Sequence, residues 1–345
     1  IFDFNRIGSR WLHSFDDMIP HQCFGVPISD NGKETYRKEL TSIDYYLRYH
    51  KTNSYKFNSS HGCFQHIYEK GLSPFNKKWQ PTVSRYPGYA YHINAFEFGN
   101  SLKKHTPVER YTERVQTVVD VAYNDDGVEY LTLDTSEKVY ADLFVDCTGF
   151  KKLLINKLTK WKSYTELANN SAVWGCIKGV TSYKPVTQVH AQESGWIWTI
   201  PTSEQIGSGY VYSNKFSSRE RAEEVIKEFW KERGLEFVPF KHIDFDAGRL
   251  EEPAIKNVVA NGLAQSFIEP LQATSVMITC VTARVLSDII NRHADEDWSA
   301  KLSQIQSTRI RQFIDHIKKF VHFHYRLSER SDTPYWKSFN NDPTA

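Results

Sequence analysis

Cysteine is scarce in this chain: five residues, at 23, 63, 147, 176 and 280, an odd number with no C-x-x-C pair. That usage argues against a zinc site or a disulfide framework and predicts a reducing, cytoplasmic setting. An excess of charge of one sign is lacking too. The 43 basic and 41 acidic residues leave a formal net charge of +2, with no long block of either sign. Nucleic acid is therefore not an expected partner. Uninterrupted apolar runs are short. The longest, 275–290, is broken by Thr279, Thr282, Arg284 and Asp288, so the expectation is a buried helix and no membrane partner. The opening IFDFNRIGSRW has no basic region and no long apolar core, which argues against a signal peptide. Internal repeats and low-complexity segments are absent.

What is present suits a large globular chain. With 345 residues it can bury a sizeable core in one complex domain or two. Aromatic residues make up 14%, with 9 Trp and 19 Tyr, which points to aromatic-lined pockets.

Residues 1–85 are rich in Tyr, His, Asn and Gly and read as loops and short helices. An amphipathic helix fits 94–105, with Phe96, Phe98 and Leu102 on its apolar side. Period-two alternation then runs through a hairpin turning at Asp125-Asp126-Gly127, and ends in a near-continuous apolar strand, ADLFVDCTGF. A second β-rich stretch covers 171–216, two arms around a Ser-Glu-Gln-Ile-Gly turn. A helix follows, opened by a Ser217/Glu220 capping box, lined by Val225, Ile226, Phe229 and Trp230, and stopped by Gly234. NVVANGLAQSF reads as a short strand and turn, and helices are expected at about 271–292 and 297–328. Strands and helices interleave without βαβ regularity, so the fold class is mixed α/β, or α+β.

Three stretches carry chemistry: DCTGF (146–150), GWIWTIP (195–201) and NGLAQSFIEPLQATS (261–275). In the last, Pro270 suits the first turn of a helix, because its missing N–H is one the helix leaves unpaired. The amides that follow, with the positive end of the helix dipole, would face whatever lies before them.

In this order the three stretches resemble the flavin-dependent halogenases of the tryptophan halogenase family. Gly195, Trp196, Trp198, Ile200 and Pro201 match the family's G-W-x-W-x-I-P fingerprint, and Gly262 to Thr274 match its G-L-A…F-x-E-P-L-x-x-T segment. HYRLSERSDTPYW (324–336) is similar to its H-Y…R-x-D-T-P-x-W run, and WLHSF carries its His-x-Phe. The resemblance covers essentially the whole chain. It implies a monooxygenase-like FAD fold whose FAD-binding domain is discontinuous, at 86–150 and 248–292. Substrate-side elements would lie at 1–85, 151–247, which holds GWIWTIP, and 293–345, a helical pocket segment.

The resemblance also implies residue roles. Thr274 and Ser275 would bind a halide ion (chloride, bromide or iodide) through the first amides of their helix. Leu263, Val276 and Gly149 would contact FAD, and Val115 would contact its adenine side. His13, Phe15, Tyr325, Ser331 and Trp336 would form the substrate pocket. Trp196 and Trp198 would fill the space through which a monooxygenase's substrate reaches its flavin. A separate reductase would supply FADH2, and a small aromatic compound would be the substrate. No metal site is expected, and the oligomeric state is left open.

Two departures and one absence stand out. Gln272 occupies the family's glutamate position, and an amide cannot accept a proton at neutral pH. Either the substrate is electron-rich enough to need no positioned base, or another residue supplies it. Glu269, which the family shares, is expected to be structural. Ser331 replaces a glutamate that meets the amino group of tryptophan, which argues against free tryptophan. No G-x-G-x-x-G turn exists in this chain, and the family's catalytic lysine would fall before residue 1. The expectation is a halogenase of indole-, phenol- or pyrrole-like compounds. The alternatives are an aromatic hydroxylase of the same superfamily and a degenerate, non-catalytic homologue.

Overall fold

The computed structural model describes residues 92–180, 187–202, 205–326, 328 and 330–340, together with the backbone of three short strands before them. Those strands are β1 (Leu12–Ser14), β2 (Ser29–Asp30) and β3 (Lys33–Glu34). The reading of 1–85 as loops and short helices, Phe15 and the His13 side chain otherwise lie outside the described residues. Helix α1 (Ala95–His105) precedes strands β4 (Val118–Asn124), β5 (Gly127–Leu133), β6 (Lys138–Val139), β7 (Phe144–Asp146), β8 (Trp161–Ser163) and β9 (Ser171–Lys178). Then come β10 (Gln188–Gln192), β11 (Gly195–Pro201), β12 (Gln205–Tyr212), helix α2 (Arg219–Lys231), β13 (Val238–Asp244), β14 (Gly248–Leu250), β15 (Ala254–Ile255), β16 (Val258–Ala260) and β17 (Ser266–Phe267). Helices α3 (Thr274–Arg292), α4 (Ala300–Arg326) and α5 (Pro334–Asn340) close the described chain.

The centre is a six-stranded sheet in the order β1-β10-β11-β12-β9-β13. Period-two alternation sorts its side chains to two faces. Val173, Ile177, Ile197, Ile206, Tyr210 and Tyr212 pack against Ala222, Val225, Ile226, Phe229 and Trp230 of α2. On the other face Ala172, Val189, Trp196 and Val211 meet Ile310, Ile314, Ile317, Val321 and Tyr325 of α4 and Tyr335, Trp336 and Phe339 of α5. A helix-sheet-helix sandwich results, the layered α/β solution expected when both faces of a sheet are apolar. The cap of α2 sits one residue later than the sequence motif suggests, since the Ser218 hydroxyl accepts from Arg221 N at 3.2 Å.

The strand β11 depends on its first residue. A Cβ built on Gly195 would stand 1.9 Å from the carbonyl oxygen of Val211 and 2.8 Å from Tyr212 Cα. Both obstacles are backbone, so neither can rotate aside. Gly195→Ala is expected to cost about 2 kcal/mol, read as a lowered urea midpoint. An unchanged midpoint would show that β11 and β12 can separate without penalty.

Two expectations are corrected, and a third, the helix at 94–105, is present with no buried residue. The ADLFVDCTGF strand is only three residues long, because the buried Asp146 carboxylate turns the chain. It accepts from Thr148 N at 3.0 Å, Thr148 Oγ1 at 2.6 Å, Leu154 N at 2.8 Å and Ile155 N at 3.0 Å. Helix α1 has no buried residue, and Phe96 is 74% exposed. Its ends are capped: Asn94 accepts from the amides of Phe96 and Glu97, and its last turn carries basic side chains. Leu271–Arg292 is long and apolar enough to cross a membrane by composition. It buries Ile278, Thr282, Leu286 and Ile289 on one side, yet exposes Val276, Met277 and Ile290 on another. It is a one-sided surface helix rather than a buried one.

Candidate functional site

Strands β7 and β16 pair in parallel, Phe144 with Val258 and Asp146 with Ala260. Beyond their carboxyl ends come two single 3-10 turns, 149–151 and 262–264, which touch each other, and the second touches α3. Each turn opens on a glycine in the left-handed region, Gly149 at φ 69° and Gly262 at φ 63°. Asn261 joins the parts: its amide N–H donates to Asp146 O at 2.9 Å and its Nδ2 to Thr279 O at 3.3 Å. The crevice beyond the carboxyl ends of parallel strands is where open α/β sheets bind ligands. Here it carries the apolar side chains of Leu263, 37% exposed, and Val276, 58% exposed. Gly149, Leu263 and Val276 thus share one flank. Val115 lies on the segment entering β4 and is also exposed.

The helix does not begin at Pro270. Leu271–Ala273 forms a 3-10 turn in which Gln272 (φ 68°) and Ala273 (φ 51°) are left-handed, and α3 starts at Thr274. Two non-glycine residues in this region cost about 1–2 kcal/mol each. The late start makes Thr274, Ser275 and Val276 the first helical residues, whose N–H groups have no partner inside the helix. Ala273, the N-cap, has no side-chain oxygen and makes no cap hydrogen bond. The Thr274 side chain is buried, with Oγ1 3.4 Å from Leu271 O, so its backbone is what it can offer a ligand.

Behind this hook lies a buried polar network. Glu269 accepts from Tyr325 Oη at 2.5 Å and from Asn169 Nδ2 at 2.9 Å. The Tyr325 oxygen accepts from Trp196 Nε1 and from Asn169 Nδ2, each at 2.8 Å. Tyr335 Oη donates to Asn169 Oδ1 at 3.0 Å. The hydroxyl of Tyr325 therefore uses its donor and both acceptor positions, and Asn169 both of its amide hydrogens. Burial pushes the Glu269 carboxyl up to about 7, although both of its hydrogen bonds pull the other way. The fingerprint strand is thus tied through Trp196 and Tyr325 to the residue before Pro270. Trp198 lies on the same face, its ring centroid 6.0 Å from that of Trp196.

The remaining pocket residues fall elsewhere. Tyr325, stacked on Phe339, and Trp336, whose Nε1 donates to Gln192 O at 2.8 Å, are core residues and not an open wall. Their polar tips are already engaged, which is why they can be buried. Ser331 is exposed. Asn169 escaped the sequence reading, since an Asn-Asn pair in ELANNSAV carries no pattern. Cys147, inside DCTGF, is exposed, and partial desolvation and the Asp146 charge push its thiol up. A cavity of about 390 Å³ between α2 and β10, lined by His190, Arg221 and Arg233, shares no residue with this site.

Uncapped amides at a helix start suit a small anion, which needs N–H donors and a positive dipole end. Glycine turns and exposed aliphatic side chains at a parallel strand pair suit the flat, partly apolar body of a flavin. The residues present therefore fit both groups.

Comparison with known proteins agrees. Residues 2–345 match the tryptophan halogenase family. The chain is 33% identical to the 7-chloro-L-tryptophan 6-halogenase of Kutzneria sp. (strain 744), covering 75% of this chain and 51% of that one. It is 31% identical to the tryptophan 6-halogenase of Streptomyces toxytricini, covering 97% of this chain and 65% of the relative. A tryptophan C-6 flavin-dependent halogenase (chlorinase) from taromycin biosynthesis superposes with a TM-score of 0.78 at 29% identity, covering 88% of this chain and 61% of that one. The chain thus spans between half and two thirds of the length of these relatives. Fingerprint strand, glycine turns and uncapped helix start stand in one arrangement, over a sequence match that runs nearly end to end: this chain belongs to the tryptophan halogenase family.

Proposed function

We propose that this chain forms the flavin- and halide-facing body of a flavin-dependent halogenase that acts on an aromatic substrate. The observation that carries the reading is the helix start at Thr274. A strained left-handed pair delivers bare amides to the crevice beside Gly149, Gly262 and Leu263. Strain kept at such a place has a use in binding. Reduced FAD, delivered by a separate reductase, supplies the oxygen chemistry that turns a bound halide into an electrophile. The chain's own part is to hold the halide at the Thr274 and Ser275 amides and to seat the flavin along Leu263 and Val276. Trp196 and Trp198, side by side on β11, serve to keep organic molecules and bulk water away from the oxidant.

The named relatives act on tryptophan or chlorotryptophan. In this chain Ser331 has no carboxylate to pair with an amino group, which favours indole-, phenol- or pyrrole-like compounds without an amino-acid handle. The test is a reaction of the full-length protein with reduced FAD, oxygen and a panel of such aromatics. Chloride, bromide and iodide are compared, with mass-spectrometric readout. Halide-dependent mass gain is the expected result. Product that forms equally without halide would establish the hydroxylase alternative.

A further inference from the structure

The cavity of about 390 Å³ between α2 and β10 opens on the other face of the central sheet from the hook at 271–273. Successive strand residues point to opposite faces. Val189 joins Trp196 and Leu271 in the core under α4, whereas the His190 ring turns to α2, its centroid 4.8 Å from that of Phe229. Nε2 of His190 is buried and has no hydrogen-bond partner among the described residues. A polar atom left in that state is costly unless something outside the chain reaches it. Burial and the Arg233 charge press the ring down to about 4, so it is neutral at physiological pH and its one hydrogen can sit on Nε2.

The charges lining this cavity do not all cancel. Arg221 is occupied by Glu193 at 3.0 Å, Glu224 at 3.4 Å and Glu228 at 3.5 Å. Arg233 and Glu232 line the same cavity, yet among the described residues neither makes an ion pair. The Arg233 guanidinium lies 3.6 Å from the centre of the Phe229 ring, with Nη1 donating to Phe229 O at 2.7 Å, which leaves its other N–H donors for a ligand. A simple anion here would meet the carboxylates of Glu193, Glu228 and Glu232, and a simple cation would meet Arg233. A molecule carrying both charges satisfies the cavity.

We propose that this cavity binds a small zwitterion of the α-amino-acid type, its carboxylate on Arg233 and the Nε2–H of His190 and its ammonium on Glu232. The volume is that of a small-molecule site. The ligand lies against β10, on the face turned away from Trp196, and takes no part in the halogen chemistry proposed above. The site therefore stands or falls independently of that reading.

The test follows His190 in the full-length protein labelled with ¹⁵N-histidine, its ring signals assigned by their loss in His190→Phe. L-phenylalanine is titrated beside 3-phenylpropionate, which lacks the ammonium, and phenethylamine, which lacks the carboxylate. L-phenylalanine should move the His190 signals to saturation, and each truncated ligand should bind at least about fivefold more weakly. Arg233→Ala should weaken L-phenylalanine by about fivefold without weakening phenethylamine, and Glu232→Gln should weaken it by a similar factor without weakening 3-phenylpropionate. Both side chains are exposed, so the melting temperatures should match wild type. The absence of a saturable shift with L-phenylalanine overturns the proposal. A truncated ligand that binds wild type as tightly does so too, since the cavity would then read one charge only. The same holds if either variant leaves L-phenylalanine binding intact, or weakens all three ligands alike.

Discussion

Ser275→Asp is expected to cut halogenation by at least about 100-fold while leaving the melting temperature unchanged or slightly higher. An acidic side chain in the first turn of a helix stabilises it by about 0.3–1 kcal/mol through the dipole. Ser275 is the second residue of α3, so the new carboxylate lies against the amides assigned to the halide. Two like charges about 4 Å apart near a protein surface repel by roughly 4 kcal/mol, enough for the stated loss. The measurements are halide-dependent turnover and thermal unfolding in the same buffer. Turnover that survives the aspartate would move the halide away from this helix. Joint loss of turnover and stability would point to packing in place of binding.

The second large effect concerns the network behind the hook. Tyr325→Phe should cost about 3 kcal/mol, because it leaves Trp196 Nε1, one hydrogen of Asn169 and one oxygen of Glu269 without their partner in a dry interior. Glu269 adds a pH signature. Burial raises its folded pKa to about 7, against an ordinary value of 4.5. Below 4.5 both folded and unfolded chains hold the proton, and the carboxyl contributes its full stability. Between 4.5 and about 7 only the folded chain holds it, so that contribution falls as pH rises, by about 3 kcal/mol in all. Glu269→Gln cannot ionise and removes this slope. Urea unfolding at pH 4.5 and 7.5 should therefore show wild type losing stability relative to the variant as the pH rises. A difference that does not change with pH would mean that Glu269 stays charged in its buried site.

Much of the architecture was legible in local pattern. Alternation at 118–133 and 195–212 specified strands, and the valine, isoleucine and aromatic spacing at 225–230 specified the inner face of α2, because both periods follow from backbone geometry alone. The family resemblance gave Gly149, Leu263 and Val276 one expected role, contact with FAD; in the fold the turns carrying Gly149 and Leu263 touch, and the second touches α3. Where pattern failed, a side chain overrode it. Asp146 bonds the following amides and cuts its strand short. Pro270 invites a helix, yet the chain takes two left-handed steps before it begins one.

By itself, the sequence determined the order of the elements, the family and the residue types facing the crevice, since these rest on periodicity and on motifs contiguous in the chain. Tertiary structure decided what those residues can do. Thr274 and Ser275 became the first amides of a helix only because Glu269 and Leu271 are held in the core while the hook is forced left-handed. Gln272 meets His324 only because α4 sets that side chain beside it, 52 residues away. Hydrogen bonds between distant segments have no signature in a single chain, because which donor meets which acceptor is settled when the layers pack.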